Sequence, residues 1–165
     1  RNLLSLSCQI NFRRTINAWQ CYFKKTVGPE RKFYQKIKNN FKSISLIRLE
    51  NNSLHGTPDL LACNNSGHFF TIELKVASGN KIKFSPHQIA FHTRHPKNTF
   101  IMVQALGPCT VKLFEGSRIR ELAACGLTLE PLCLGLDACR LRLEELGAWS
   151  LDQVHAPTHR RECFR

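Results

Sequence analysis

Residues 56–76 read GTPDLLACNNSGHFFTIELKV, and this stretch decides how the chain is built. Its runs 58–63 and 68–76 have strand character, and the Asn-Asn-Ser-Gly between them is turn chemistry, so a hairpin is predicted. Successive side chains of a strand point to opposite faces. Ile72, Leu74 and Val76 therefore point into a core, while Thr71, Glu73 and Lys75 share the other face. The hairpin returns Asp59 to their side. Pairing of Cys63 with His68 would set Asp59 opposite Ile72; one bulged residue would set it opposite Glu73 and give the better geometry for a shared ion.

Upstream, Gly28-Pro29 opens a helix, since proline suits a first turn. Phe33, Ile37 and Phe41 recur every four residues with Tyr34 alongside, an amphipathic pattern with Lys and Arg on the wet face. Glu30 falls on the apolar stripe by the same spacing. SISLIRLE (43–50) alternates as a strand does. Downstream, ASGNKIKF is a basic loop, and Ser85-Pro86 with Gln88 forms a capping-box start for a helix over 86–94. TFIMVQAL and TVKLFE are strands on either side of Gly107-Pro108. SRIRELAAC begins a C-terminal region, and LDACRLRLEELG is a helix with Asp137 as its cap and Gly147 as its stop. The order helix, strand, strand, strand, helix, strand, strand predicts an α/β fold with helices against a mixed sheet.

The charge is unevenly spread. Residues 1–50 hold 11 Lys/Arg against 2 acids, residues 51–100 hold 5 against 2, and residues 101–165 hold 8 against 8. The excess of +12 thus lies entirely in the first hundred residues, which points to a polyanionic partner, nucleic acid above all. No apolar run reaches the ~18 residues that cross a bilayer, so no membrane partner is expected, and an intracellular place, cytoplasmic or nucleoid-associated, is. The eight cysteines are scattered and read mostly as buried, reduced hydrophobes rather than a disulfide framework.

The acids of the basic half are Glu30, Glu50, Asp59 and Glu73. Carboxylates that would repel a phosphate backbone need a reason to be there, and a divalent cation is one. Asp59, Glu73 and the strand carbonyl of Leu74 are hard oxygen donors suited to Mg2+, with Mn2+ as a substitute. Such an ion polarises a phosphodiester and acidifies its bound water, and the Lys75 ammonium can orient that water or stabilise the transition state. The alternative is a half-buried salt bridge of Lys75 with Glu73 or Asp59.

Taken in order, GTPD (Pro58, Asp59), IELK (Glu73, Leu74, Lys75), Glu30 on its helix and KFSPHQ with Gln88 resemble the PD-(D/E)xK nuclease superfamily, most closely its VRR-Nuc and Holliday-junction-resolvase-like branch. The resemblance covers about residues 29–115 and implies a restriction-endonuclease-like mixed sheet. It implies Asp59 and Glu73 as metal ligands, Lys75 as the catalytic lysine, and Glu30 and Gln88 as auxiliary members. The function expected is a metal-dependent endonuclease on nucleic acid: DNA first, branched or structured DNA included, with RNA left open. A non-catalytic nucleic-acid-binding module on the same scaffold is the alternative. A homodimer is an open option.

Lys81, Lys83 and His87, together with Arg31 and Lys32, are expected at the phosphates. Gln88 reads equally as a site residue or as the cap of Ser85. His55 and His87 read more readily as exposed loop residues. Cys125, Cys133, Cys139, His155, His159 and Cys163 raise a zinc reading, which Pro157 between the histidines and the lack of a Cys-x2-Cys pair weigh against. Three segments follow: a basic and aromatic arm (1–28), a nuclease core (29–124) and a Cys-containing helical extension with a tail (125–165).

Overall fold

The computed structural model describes residues 28–49 and 56–148. The arm through residue 27, His55, and the tail with His155, His159 and Cys163 lie outside the described residues. The elements are α1 (Pro29–Asn40), β1 (Ser45–Arg48), β2 (Leu60–Cys63), β3 (Phe69–Ala77), α2 (Pro86–Arg94), β4 (Thr99–Ala105), β5 (Thr110–Glu115), α3 (Ile119–Cys125), β6 (Cys133–Leu134) and α4 (Leu136–Glu144). The strands form one mixed sheet in sequential order, β1 to β6. Every pairing is antiparallel except β3 with β4, which is parallel and joined through α2. The chain is thus α/β, as its pattern predicts.

Strand alternation sends one set of side chains to each face. Leu60, Ala62, Phe70, Ile72, Leu74, Phe100 and Met102 pack with Phe33 and Ile37 of α1 and with Cys139 and Leu143 of α4. Burying each of the larger side chains stabilises the fold by roughly 1.5–3 kcal/mol. On the opposite face Ile101, Val103 and Phe114 meet Ile119 and Leu122 of α3, with Ile89 of α2 packed against them. The segment expected as a helical extension therefore supplies one helix of the core and, in β6, a sixth strand that its two-residue length hid from the pattern.

The hairpin turn resolves the register. Asn64 N–H bonds to the His68 carbonyl and Gly67 N–H to the Asn64 carbonyl, with Gly67 at φ +71°. This is a three-residue loop ending in a left-handed glycine, which supplies the extra residue. Cys63 consequently pairs with Phe69, not His68, and Leu60 with Ile72. Asp59, one step further, comes opposite Glu73. Asn64 is buried and holds the loop: its Oδ1 accepts from Ser66 N–H (3.1 Å) and His68 N–H (3.0 Å). Its Nδ2 donates to the carbonyls of Leu143 (3.0 Å), Glu144 (3.2 Å) and Leu146 (2.7 Å) at the end of α4.

Three expectations need correcting. Asp137 does not cap α4: Gly135 holds that position with no side-chain cap, and Asp137 lies in the first turn, where its charge suits the helix dipole. Glu30 is exposed, although Phe33 and Ile37 on its stripe are fully buried, because the stripe leaves the core in the first turn of α1. Of the five described cysteines, all free, only Cys139 is buried, while Cys109 in a turn and Cys125 at the end of α3 are exposed. Among the described residues no helix is long and apolar enough to cross a membrane.

Candidate functional site

Glu73 lies near the middle of β3, between the parallel partner β4 and the point where β2 ends. Its side chain is 1% exposed. One carboxylate oxygen, Oε1, receives the Lys75 ammonium at 2.9 Å and a hydrogen bond from the Gln88 amide Nε2. The other, Oε2, is buried and has no hydrogen-bond partner. Burial first, and then the charge of Asp59, push the Glu73 carboxyl up to about 7, against the lowering pull of Lys75; Glu30 raises it further. A buried, unpartnered oxygen on a carboxylate with a second acid near it is the kind of atom a cation would satisfy.

Asp59 is fixed by the backbone beside it. Its Oδ2 accepts the Leu74 N–H at 2.7 Å, so the side chain continues the ladder where the strand stops. Thr71 N–H bonds to Asn98 and the Ala77 carbonyl accepts from Leu106, so the odd residues of β3 direct their backbone groups toward β4. Leu74 directs its own the other way, toward Asp59. Its carbonyl points with its N–H, since a strand residue turns both groups to one side. Asp59 and the Leu74 carbonyl thus stand at the β2 edge of β3, in register with Glu73. Among the described residues no three His, Cys, Asp or Glu side chains form a ready metal cage. An ion here would take two carboxylates, one carbonyl and water, a set that fits Mg2+.

Gln88 caps α2 with one end of its amide and touches Glu73 with the other. Its Oε1 accepts the Ser85 N–H at 3.0 Å while its own N–H bonds to Ser85 Oγ at 3.2 Å, completing the capping box. The amide's other end reaches Glu73. The glycine of GTPD has a use too. Gly56 has φ +88°, and a Cβ there would lie 2.5 Å from the His87 carbonyl. Only glycine lets the loop before Asp59 rest on the start of α2, which carries Gln88.

Lys81 and Lys83 are exposed, and between and after them Ile82 is buried and Phe84 half-buried, so the loop is pinned by its apolar residues and turns its lysines outward. The Lys75 ammonium lies 5.8 Å from the Phe84 ring centre. His87 is exposed beside Gln88, and Arg31 and Lys32 are exposed next to Glu30 on α1. The structure thus brings Asp59, Glu73, Lys75 and Gln88 together, with Glu30 acting on Glu73 through its charge. Lys81, Lys83, Arg31 and Lys32 are exposed around this group.

Sequence reasoning placed Thr71 on this face without a role and passed over His92. Thr71 Oγ1, on the Glu73 face, is buried without a partner, as are both ring nitrogens of fully buried His92. Burial and the Lys75 charge push His92 down to about 4. The signal for His92 was its position four residues after Gln88, on the same side of α2.

No family model matches the chain, and no curated protein is similar enough to be a relative.

Proposed function

We propose that the protein is a metal-dependent nuclease of the PD-(D/E)xK type that hydrolyses phosphodiester bonds of nucleic acid, DNA first. The observation that carries this reading is the Glu73 carboxylate: 1% exposed, one oxygen held by Lys75 and Gln88, the other unpartnered beside Asp59. A structural salt bridge accounts for Oε1 but leaves Oε2 without a reason. Asp59, Glu73 and the Leu74 carbonyl would hold Mg2+, with Mn2+ as a substitute. Bound there, the ion would polarise the scissile phosphate and acidify a water.

The chain's own residues do the rest. Gln88, locked by Ser85, holds one oxygen of Glu73 and so fixes the orientation of its carboxylate. Lys75 stands at the same carboxylate, placed to donate to the attacking water or to the charge that gathers on the phosphate oxygens. The outward lysines 81 and 83, with His87, Arg31 and Lys32, meet backbone phosphates without reading bases. The test is incubation with linear, flapped and four-way-junction DNA, in Mg2+ and in EDTA. Cleavage in Mg2+ alone is expected. Metal-independent binding with no cleavage in Mg2+ or Mn2+ would replace the nuclease by a nucleic-acid-binding module.

A further inference from the structure

On the face that carries the carboxylates, β1, β2 and β3 align their side chains in rows. Ser45, Cys63 and Phe69 form one row, and Ile47, Leu61 and Thr71 the next. Leu49 follows, its N–H bonded to the Asp59 carbonyl at 2.8 Å, in the row of Asp59 and Glu73. Helices α2 and α3 cover this face over β4 and β5, and among the described residues no helix packs on it over β1 and β2. Ile47 is 54% and Phe69 61% exposed, and Leu61 and Cys63 are half-buried. An apolar floor therefore runs along β1 and β2 to the half-buried Leu49 and Asp59, beside which Glu73 lies buried. Ile47 and Phe69 with half-buried Leu61 and Cys63 between them make a contiguous apolar strip, and contiguous strips, unlike single exposed side chains, mark binding surfaces.

The surroundings say what kind of partner fits. Of the 12 Lys/Arg described through residue 114, six lie on or just after α1 or, as Arg48 over the Tyr34 ring, against it on the opposite face; Lys75, Lys81, Lys83, Arg94 and Lys97 belong to the carboxylate side, where the acids are Asp59 and Glu73. Exposed Arg94, His95 and Lys97 lead into the turn whose Asn98 carbonyl bonds Thr71 N–H at 2.9 Å, two residues from Phe69. Exposed Lys81 and Lys83 stand on the loop leading to α2. A flat aromatic on a sheet, flanked by cations, is how single-stranded nucleic acid is gripped: bases stack while the backbone follows the positive rim. A duplex hides its base faces and has nothing to stack. A second copy of the chain is a poorer fit, because two strongly exposed apolar side chains make little of the ~1,200–2,000 Å2 that a stable interface buries.

We propose that the open β1–β3 face seats an unpaired nucleic-acid strand, with a base stacked on Phe69 and the backbone continuing to Glu73. This rests on the nuclease reading and names its substrate: strands with unpaired segments. From Phe69 to Glu73 is four residues of strand, roughly 13 Å, so cleavage falls a few nucleotides from the stacked base.

The test uses the full chain in EDTA, where binding is read without cleavage. Fluorescence anisotropy measures affinity for labelled oligo-dT, oligo-U and a blunt duplex, for the parent, Phe69→Ala and Phe69→Trp. For Phe69→Ala, affinity for a homopolymer should fall roughly 5- to 150-fold, the duplex should be unmoved, and Phe69→Trp should restore the loss. The homopolymer that responds names the sugar. Phe69 is mostly exposed, so both variants should melt as the parent does. A parent that binds neither homopolymer, a Phe69→Ala that binds as the parent does, or an equal loss on all three ligands would overturn the proposal. So would sedimentation in which Phe69→Ala dissociates a dimer formed by the parent, which would give the face to a second copy. Cleavage in Mg2+, measured separately, decides the nuclease reading, so a parent that cuts DNA while Phe69→Ala binds normally loses only this inference.

Discussion

Replacing Glu73 by glutamine keeps the side chain's shape and removes a charge that the fold holds at a cost. Glu73 is raised from an ordinary 4.5 to about 7, first by burial and then by Asp59. Its folded form therefore keeps a proton that the unfolded chain releases between those two values. Stability from this group is fully present below pH 4.5 and falls as pH rises to 7. The difference of about 2.5 units corresponds to roughly 3 kcal/mol. His92 runs the other way: lowered from 6.5 to about 4, its contribution is present above pH 6.5 and lost as pH falls toward 4. The two slopes oppose each other in the parent, so its profile should be nearly flat between pH 4.5 and 6.5. Glu73→Gln removes one of them. Its stability in EDTA should rise with pH across that window and exceed the parent's by up to about 3 kcal/mol at pH 8. At about 2–4 °C per kcal/mol for a chain of this size, the melting temperature should rise by about 6–12 °C. The amide still accepts from Lys75 and Gln88 and carries no charge into the buried position. Urea unfolding at pH 5 and pH 8, in EDTA and in Mg2+, reads all of this. On the proposed reading Mg2+ should stabilise the parent and not the variant, since the ion would bind only the folded site. Parallel pH profiles for the two proteins, or a variant less stable than the parent at pH 8 in EDTA, would refute the reasoning.

Asp59→Asn can still accept the Leu74 N–H, yet it lacks the second charge for the ion, so cleavage should fall by orders of magnitude while metal-free DNA affinity holds or rises slightly; cleavage kinetics beside anisotropy check this. Lys75→Met should abolish cleavage and leave metal binding in place, as calorimetric titration with Mn2+ would report. DNA affinity should fall steeply with salt through counterion release, and Lys81→Glu or Lys83→Glu should flatten the log–log slope; a nearly flat parent slope would assign the basic half to solubility instead. Asn64→Ala strips two acceptor contacts from the hairpin loop and three donor contacts from the end of α4, so urea unfolding should show a loss on the order of 2–4 kcal/mol.

What the sequence determined by itself was local and periodic. The stripe Phe33, Ile37 and Phe41 specified α1, the alternation in FFTIELKV put Glu73 and Lys75 on one face, and Ser85-Pro86 with Gln88 specified the capped start of α2. Each is a pattern within about a dozen residues, where spacing fixes direction. The register of the hairpin lay just beyond that reach. Two alignments of 58–63 on 68–76 differ by one residue, and the choice was made by buried Asn64, bonded both to its own loop and to α4 some eighty residues later. Tertiary structure also decided the character of the acids. The same spacing that put Glu30 on the apolar stripe could not say that the stripe leaves the core in its first turn. Nor could it say that Glu73, rather than Asp59, would be the strongly desolvated carboxylate. Burial is a property of what packs around a side chain, and β4, α2 and the end of β2 reach Glu73 only when the whole sheet is assembled.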